Sequence, residues 1–237
     1  MSDHLYCLVK LVEEPAHADE LRKGTLFMRS LKYHQQCEDQ DESGRRDRME
    51  GAMALRQPDG LSGLSIGPVH VPASDLVGPV IFKPSWVMDA RVFCMLALSS
   101  RDLPQERPAA SGDLTNHFLL DPQCAGLGDT AVIITDVQEF IRRVVEGIRR
   151  SGCGGSLGLV DYIDDAAADG PLDTRPGYAK PRRFAYQREY RVMIHTDPSA
   201  PDPYRLNIGD LSDITAVTSA KTFNRHLKVC LPEDAHT

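Results

Sequence analysis

Runs of apolar residues recur along the chain and predict a set of short strands. The clearest lie at 5–12, 91–98, 157–162 and 189–195. Apolar runs of this length, bounded by turn-forming residues, are typical of strands buried on both faces. Shorter runs predict further strands at 25–28, 69–71, 80–82, 131–134, 204–208, 215–218 and 226–231.

One segment, 136–151, has the pattern of an amphipathic helix. Asp136 followed by Glu139 forms a start typical of a capping box, and Gly152 marks the end. The apolar residues of the segment share one helical face: Val137, Phe140, Ile141, Val144, Val145 and Ile148. A second, shorter helix is predicted from Pro15 to the residues before Gly24.

The order of these elements favours an α+β fold. The strands cluster instead of alternating with helices, and no shift in composition divides the 237 residues into two parts. We therefore expect a single domain over 1–237, with short, mostly antiparallel strands in two small packed sheets and two or three helices.

Charge and cysteine content narrow the classes of function. The net charge of -7 disfavours a protein that coats nucleic acid through phosphate contacts, although a local basic patch stays open. No apolar run is long enough to span a bilayer, and the N-terminus lacks the pattern of a signal peptide. The six cysteines are scattered without a C-x-x-C pair, which favours free thiols in a cytoplasmic protein over disulfides or a zinc site. The eight dispersed histidines suggest no metal site either.

Common nucleotide-binding and hydrolase motifs are absent, and one local pattern draws attention instead. Gln187 and Glu189 stand at the start of the strand predicted at 189–195, after a loop rich in Gly, Pro and Asp. A spacing of two places both side chains on one face of a strand. A carboxylate beside an amide can bind a sugar hydroxyl or stabilise a cationic sugar centre. The alternative is a solvated strand edge, with Glu189 paired to Arg188 or Arg191.

This Q-x-E pattern resembles the acceptor-loop motif of mono-ADP-ribosyltransferases. The resemblance implies that Glu189 is the catalytic glutamate, which contacts the ribose of NAD and supports loss of nicotinamide, and that Gln187 faces the acceptor. That family also carries an Arg or His on its first strand and a Ser-x-Ser or Tyr on a middle strand, where this chain departs from the pattern. Lys10 on the first strand, and Ser99 and Ser100 at the end of the middle strand, stand at those places. Together with Tyr33, which follows the second strand and could line a nicotinamide pocket, they are the candidate cofactor contacts.

A second resemblance spans roughly residues 5–215. The chain is similar to a set of uncharacterised bacterial and phage proteins that open with "G-x-L-Y-M-x-S-L-x-Y-F" and end on an "aromatic-x-E-W/Y-R" strand. The segments that carry it are Gly24–Tyr33, Glu38, Arg45–Asp47, Glu50–Gly51, Phe93–Met95 and Tyr186–Arg191. The charged stretch from Glu38 to Glu50 is interpreted as a solvated, self-paired loop, with phosphate binding by Arg45, Arg46 and Arg48 as the alternative.

Together these patterns predict an NAD-dependent transferase that modifies a macromolecular acceptor, a protein or a nucleic acid. The expected setting is a toxin, defence or effector protein, with a cognate inhibitor as a further partner and no membrane. Two alternatives stay open: an interaction protein without activity on the same fold, and a nucleic-acid-directed toxin.

Overall fold

The computed structural model describes residues 3–40, 47–103, 111–197 and 199–229; the side chains of 37–40 and 111–113 lie outside that description. Its strands are β1 Leu5–Val12, β2 Thr25–Ser30, β3 Ala54–Arg56, β4 Gly63–Ile66, β5 Val69–Pro72, β6 Val80–Phe82, β7 Arg91–Ser99, β8 Thr130–Ile134, β9 Gly154–Leu159, β10 Asp161–Ile163, β11 Gly170–Pro171, β12 Ala179–Pro181, β13 Glu189–His195, β14 Tyr204–Asn207 and β15 Thr215–Ser219. Its helices are α1 Pro15–Arg22, α2 Leu31–Gln40, α3 Ser85–Met88, α4 Ser111–Phe118, α5 Val137–Ser151 and α6 Ala220–His226.

The strands form an α+β fold around one large antiparallel sheet. Its eight strands run β14-β2-β7-β1-β8-β15, and β13 pairs with β7 on one side and β9 on the other. Three smaller sheets, β11-β3-β6, β4-β5 and β10-β12, lie beside it, and only the last is parallel. The predicted class and the mostly antiparallel pairing are confirmed. The expectation of two small sheets with two or three helices is wrong, because the described residues form one sheet of eight strands, three smaller sheets and six α-helices.

Strand β7 organises the sheet because three strands pair with it. β13 follows it from Ile194 opposite Arg91 to Glu189 opposite Leu96. On the other edge of β7, β1 pairs only from Leu96 onward and β2 pairs only at Arg91 and Val92. The two strands therefore part between these points and leave a gap in the sheet opposite Phe93–Met95.

One face of the sheet is covered by α1 and α5 over the largest apolar cluster. The α5 prediction is confirmed: the Asp136 carboxylate accepts a hydrogen bond from the Glu139 amide, and Gly152 ends the helix at a φ of 71°. Phe140 and Val144 of this helix are fully buried, as its apolar pattern requires. The burial of this face fixes the helix against the sheet.

The opposite face carries two separate apolar clusters. One contains Leu96, Leu98 and Phe118 with α4 and α6, and the other contains Val92, Met193 and Tyr178 with α3. Between them the same face of β7 and β13 presents Cys94, Glu189 and Arg191. A polar patch thus interrupts the apolar face directly beside the gap in the sheet.

Two predictions for individual elements are wrong. Residues 226–231 were expected as a strand, but 226 ends α6 and 227–229 are irregular, while 230 and 231 lie outside the described residues. The stretch from Glu38 to Glu50 was expected to be solvated, yet Asp47 and Glu50 are each only 2% exposed. Burial of Glu50 is explained by its ionic partners at the site below. No helix among the described residues is both long and apolar enough to cross a membrane.

Candidate functional site

The polar patch on β7 and β13 opens into a cavity of about 220 Å³. Eight structural elements or loops contribute to its wall, so residues that are far apart in sequence meet there. The polar and titratable residues that line it are Lys10, His34, Glu50, Cys94, Lys180, Gln187, Glu189 and Arg191.

Glu189 is the first residue of β13 and lies in the interior of the sheet, only 4% exposed. Its Oε1 accepts a hydrogen bond of 2.7 Å from Arg191 Nε, two residues along the strand. Its Oε2 lies 2.8 Å from Lys180 Nζ. Both carboxylate oxygens are therefore held by cations, which fixes the orientation of the group.

Lys180 links Glu189 to Gln187. Its Nζ donates a hydrogen bond of 2.8 Å to Gln187 Oε1 in addition to its ion pair with Glu189. Because the amide oxygen of Gln187 points at Lys180, the amide nitrogen faces elsewhere, and it lies 3.4 Å from the Tyr186 hydroxyl. The two residues of the Q-x-E pattern thus meet through a shared lysine.

Glu50 completes a cluster of two carboxylates and two cations. Its Oε1 lies 2.7 Å from Arg191 Nη1, and its Oε2 lies 4.0 Å from Lys180 Nζ. Arg191 also donates to the carbonyl of Gly177. The cluster is neutral as a whole, and all four side chains are at most 9% exposed.

Burial and ion pairing act in opposite directions on these groups, and pairing dominates. Burial alone would raise the pKa of Glu189, but Arg191 and Lys180 lower it well below its usual range. The same balance lowers the pKa of Glu50. For Lys180, burial alone would lower the pKa, but Glu189 and Glu50 raise it. All members of the cluster are consequently charged at neutral pH.

Lys10 occupies the gap between β1 and β2. Its Nζ donates a hydrogen bond of 2.9 Å to the carbonyl of Cys94 and lies 5.0 Å from the centre of the Phe93 ring. A second cavity, of about 230 Å³, lies on the other side of Lys10, and its wall includes His17, Glu20, Phe27, Arg29 and Phe93. Four residues line both cavities: Lys10, His34, Val92 and Cys94.

Three of the six site residues predicted from sequence line the first cavity, and three lie outside it. Gln187, Glu189 and Lys10 line the first cavity. Tyr33 lies outside both cavities, 36% exposed, with its ring against the Arg29 guanidinium. Ser99 caps the turn at Asp102, and the Ser100 hydroxyl accepts a hydrogen bond from the His4 amide, so neither lines a cavity.

The solvated strand edge of the alternative interpretation of Glu189 is wrong, and so is the placement of Gln187 on a strand, but the pairing of Glu189 with Arg191 that the alternative included is confirmed. β13 lies between β7 and β9, so it has no free edge. Gln187 ends a short 3-10 helix at Arg182–Gln187, and Arg188, at a positive φ of 40°, separates it from β13. Arg188 does not pair with Glu189; it donates to the carbonyls of His117 and Leu119.

Glu50, Lys180 and His34 are site residues that the sequence did not single out as a group. Glu50 was assigned to a charged loop, and Lys180 stands among Gly and Pro residues without a local pattern. His34 was considered together with Tyr33, and it lines both cavities. A carboxylate buried inside a sheet requires cationic partners. The sequence does not show which cations from elsewhere in the chain reach Glu189, so these partners could not be identified from it.

Of the arginines considered for phosphate binding, Arg45 and Arg46 lie outside the described residues. Across the ranges that the structure describes, no group of three His, Cys, Asp or Glu side chains is arranged to hold a metal ion.

The chain matches no protein-family model, no curated protein and no solved structure. The assignment of function therefore rests on the geometry of the two cavities.

Proposed function

We propose that the protein is an NAD-dependent mono-ADP-ribosyltransferase that modifies a macromolecular acceptor, with Glu189 as its catalytic carboxylate. One observation carries the proposal: Lys10, Gln187 and Glu189, three of the six residues predicted from sequence, line a single cavity although they come from opposite ends of the chain. Convergence of distant polar residues on one concave site is what a binding site requires.

The dimensions of the paired cavities support a ligand larger than either one. Each cavity alone is smaller than the roughly 300–1,000 Å³ of ordinary ligand pockets. Because they share Lys10, His34, Val92 and Cys94, the two cavities are adjacent, and a ligand that displaces the Lys10 side chain from the gap in the sheet reaches both. An elongated dinucleotide, bound between the two parts of a divided sheet, has a suitable shape, and this is the ADP-ribosyltransferase-like fold that the proposal entails.

The chemistry expected of Glu189 is stabilisation of positive charge on the ribose. When nicotinamide leaves with the electron pair of the glycosidic bond, positive charge develops at the sugar carbon and its ring oxygen. A fixed carboxylate stabilises that charge without having to reorganise. Arg191 and Lys180 hold Glu189 in place and keep it ionised at any pH above its lowered pKa.

Gln187 is proposed to position the acceptor. It precedes Glu189 by two residues and reaches the same cavity from the 3-10 helix, with its oxygen held by Lys180. The acceptor atom would attack the sugar carbon, which forms the new glycosidic bond, and would then lose its proton. By the same resemblance we propose that the protein acts in a cytoplasm as a toxin, defence or effector protein with a cognate inhibitor.

The test is release of nicotinamide from NAD by the purified protein and by Glu189→Gln. We expect wild type to bind NAD in calorimetry and to release nicotinamide, and Glu189→Gln to lower that rate by at least about 100-fold, the scale of one preorganised electrostatic group. Glu146→Gln is the matched control, because Glu146 pairs with Arg149 on the exposed face of α5.

The outcomes separate an enzyme from an interaction protein. Absence of NAD binding by wild type would overturn the proposal and favour an interaction protein on this fold. NAD binding with equal turnover by wild type and Glu189→Gln would show that Glu189 is not the catalytic carboxylate and that the ionic cluster is structural. A Gln187→Ala variant should lose transfer to the acceptor while it retains hydrolysis of NAD.

A further inference from the structure

Lys10 differs from the other lysine of the first cavity in its partners. Lys180 has Glu189 at 2.8 Å and Glu50 at 4.0 Å. Over the part of the chain that the structure describes, Lys10 has no ion pair, and its Nζ donates one hydrogen bond, to the carbonyl of Cys94. An amine with a single neutral acceptor retains hydrogen-bonding capacity for a ligand.

Burial disfavours the charged form of Lys10, whereas the Phe93 ring, whose centre lies 5.0 Å from Nζ, favours it. Burial lowers the pKa of Lys10, and the partial opposing effects of Cys94 and Glu189 do not cancel it. The other titratable or charged groups around it are His34, Glu50, Lys180 and Arg191 in the first cavity and His17, Glu20 and Arg29 in the second. For Lys180, in contrast, the neighbouring carboxylates raise the pKa.

Lys10 is a buried amine at the junction of two cavities, without an ion pair among the described residues and with space for a substrate on each side. Burial lowers its pKa, so it loses its proton more readily than an exposed lysine, and desolvated lysines of this kind form Schiff bases with carbonyl compounds. His34 lines both cavities and is kept largely neutral, since burial lowers its pKa. A neutral imidazole can accept and return a proton during such a reaction.

We propose that Lys10 is the reactive amine of a carbonyl-binding site, where it forms an imine with an aldehyde or ketone that enters the two cavities. The amine nitrogen attacks the carbonyl carbon, and the electron pair of the carbonyl bond moves to oxygen. Loss of that oxygen as water, with both amine hydrogens, leaves the carbon–nitrogen double bond. No oxidant or reductant takes part, and the site does not depend on the proposed reaction with NAD.

Reductive trapping of the imine tests the proposal on the intact chain. The protein is incubated at neutral pH with glyoxylate and cyanoborohydride, and each lysine is followed by peptide mass mapping. We expect Lys10 to be carboxymethylated at least about tenfold faster than Lys23, because burial lowers the pKa of Lys10 and leaves more of its amine unprotonated. Lys23 is the exposed comparison, at the end of α1.

Further arms distinguish a site for any carbonyl compound from one that requires a carboxylate. Formaldehyde carries no negative charge, so preferential labelling of Lys10 by formaldehyde as well as glyoxylate supports the amine. Labelling of Lys10 no faster than Lys23 with both probes, or preferential labelling of Lys180, would overturn the proposal. Preference for Lys10 with glyoxylate alone would still show imine formation at Lys10 and would restrict the site to carbonyl compounds that carry a carboxylate.

A Lys10→Arg variant serves as the negative control. It keeps a long side chain that can donate to the Cys94 carbonyl but cannot form this imine, so fast labelling should disappear while circular dichroism stays unchanged. Because the assay needs no turnover of NAD, a negative result here and a negative result for ADP-ribosyl transfer are independent.

Discussion

At the scale of single residues, the site is a balance of four buried charges. The sequence places Arg188 and Arg191 near Glu189 and predicts a pair with one of them. The pair with Arg191, two residues along the strand, is the one that forms. The sequence does not show that Lys180 and Glu50 join this pair, since these contacts close over loops whose path depends on the whole fold. This is why Gln187 and Glu189 were identified in advance and their common partner was not.

Replacement of Lys180 should lower the stability of the fold, because it leaves the four buried charges unbalanced. Lys180→Met leaves one positive charge for two buried carboxylates, and removal of one partner from a buried ion pair costs about 3–5 kcal/mol. Chemical denaturation measures the change, with Lys221→Met on the exposed surface of α6 as control. The double variant Lys180→Met/Glu189→Gln should recover part of the loss, because the charges again balance. Strictly additive effects of the two substitutions would contradict a coupled cluster.

At the scale of elements, local sequence pattern succeeds where an element packs by one continuous face. α5 was predicted within one residue, because its apolar residues, cap and terminal glycine all lie within the segment itself. α2, α3, α4 and α6 were missed, since all four are shorter than α5 and carry less local pattern. The gap at Cys94 could not be predicted, because it arises from where β1 and β2 join β7 and not from the sequence of β7 alone.

The buried face of α5 should dominate the contribution of that helix to stability. Phe140 is fully buried against the sheet, so Phe140→Ala should lower the free energy of unfolding by about 3–5 kcal/mol. Val145→Ala is the control on the same helix, where the side chain is 49% exposed and the cost should be far smaller. Equal costs in urea denaturation would mean that α5 does not pack by this face.

At the scale of the whole molecule, the class of fold was predictable and the topology was not. Short strands without alternating helices indicated antiparallel pairing, which requires only sequence pattern. Their order in the sheet depends on long-range pairings, such as β13 beside β7, for which one sequence carries no signal. The cavities lie where these paired strands diverge, so the sequence could not predict them either.

Stability of the whole molecule should fall at acid pH. In the folded state the pKa values of Glu50 and Glu189 are lowered by Arg191 and Lys180, so the unfolded chain binds protons first as pH falls. Their stabilising contribution is complete above the unfolded value of about 4.3 and is lost as pH falls through the folded values. Burial of His34, which lowers its pKa, adds a loss of the same sign below about pH 6.5.

Urea denaturation at a series of pH values measures this dependence. Wild type should show a free energy of unfolding that declines from neutral pH to about pH 3, most steeply below the unfolded pKa of glutamate. Glu189→Gln removes one of the titrating groups and should decline less steeply. A profile that is the same for both proteins would show that Glu189 does not titrate differently in the folded and unfolded states.

The divergence of β1 and β2 along β7 also determines which atoms of the protein a visiting molecule would meet. Neither β1 nor β2 pairs with β7 at Phe93–Met95. The backbone of β7, including the Cys94 carbonyl, therefore forms part of the wall between the two cavities. Peptide groups are the same whatever side chain is attached to them. Recognition through this part of the wall is therefore insensitive to amino-acid replacement, so sequences that differ at these three positions can keep the same hydrogen-bonding surface.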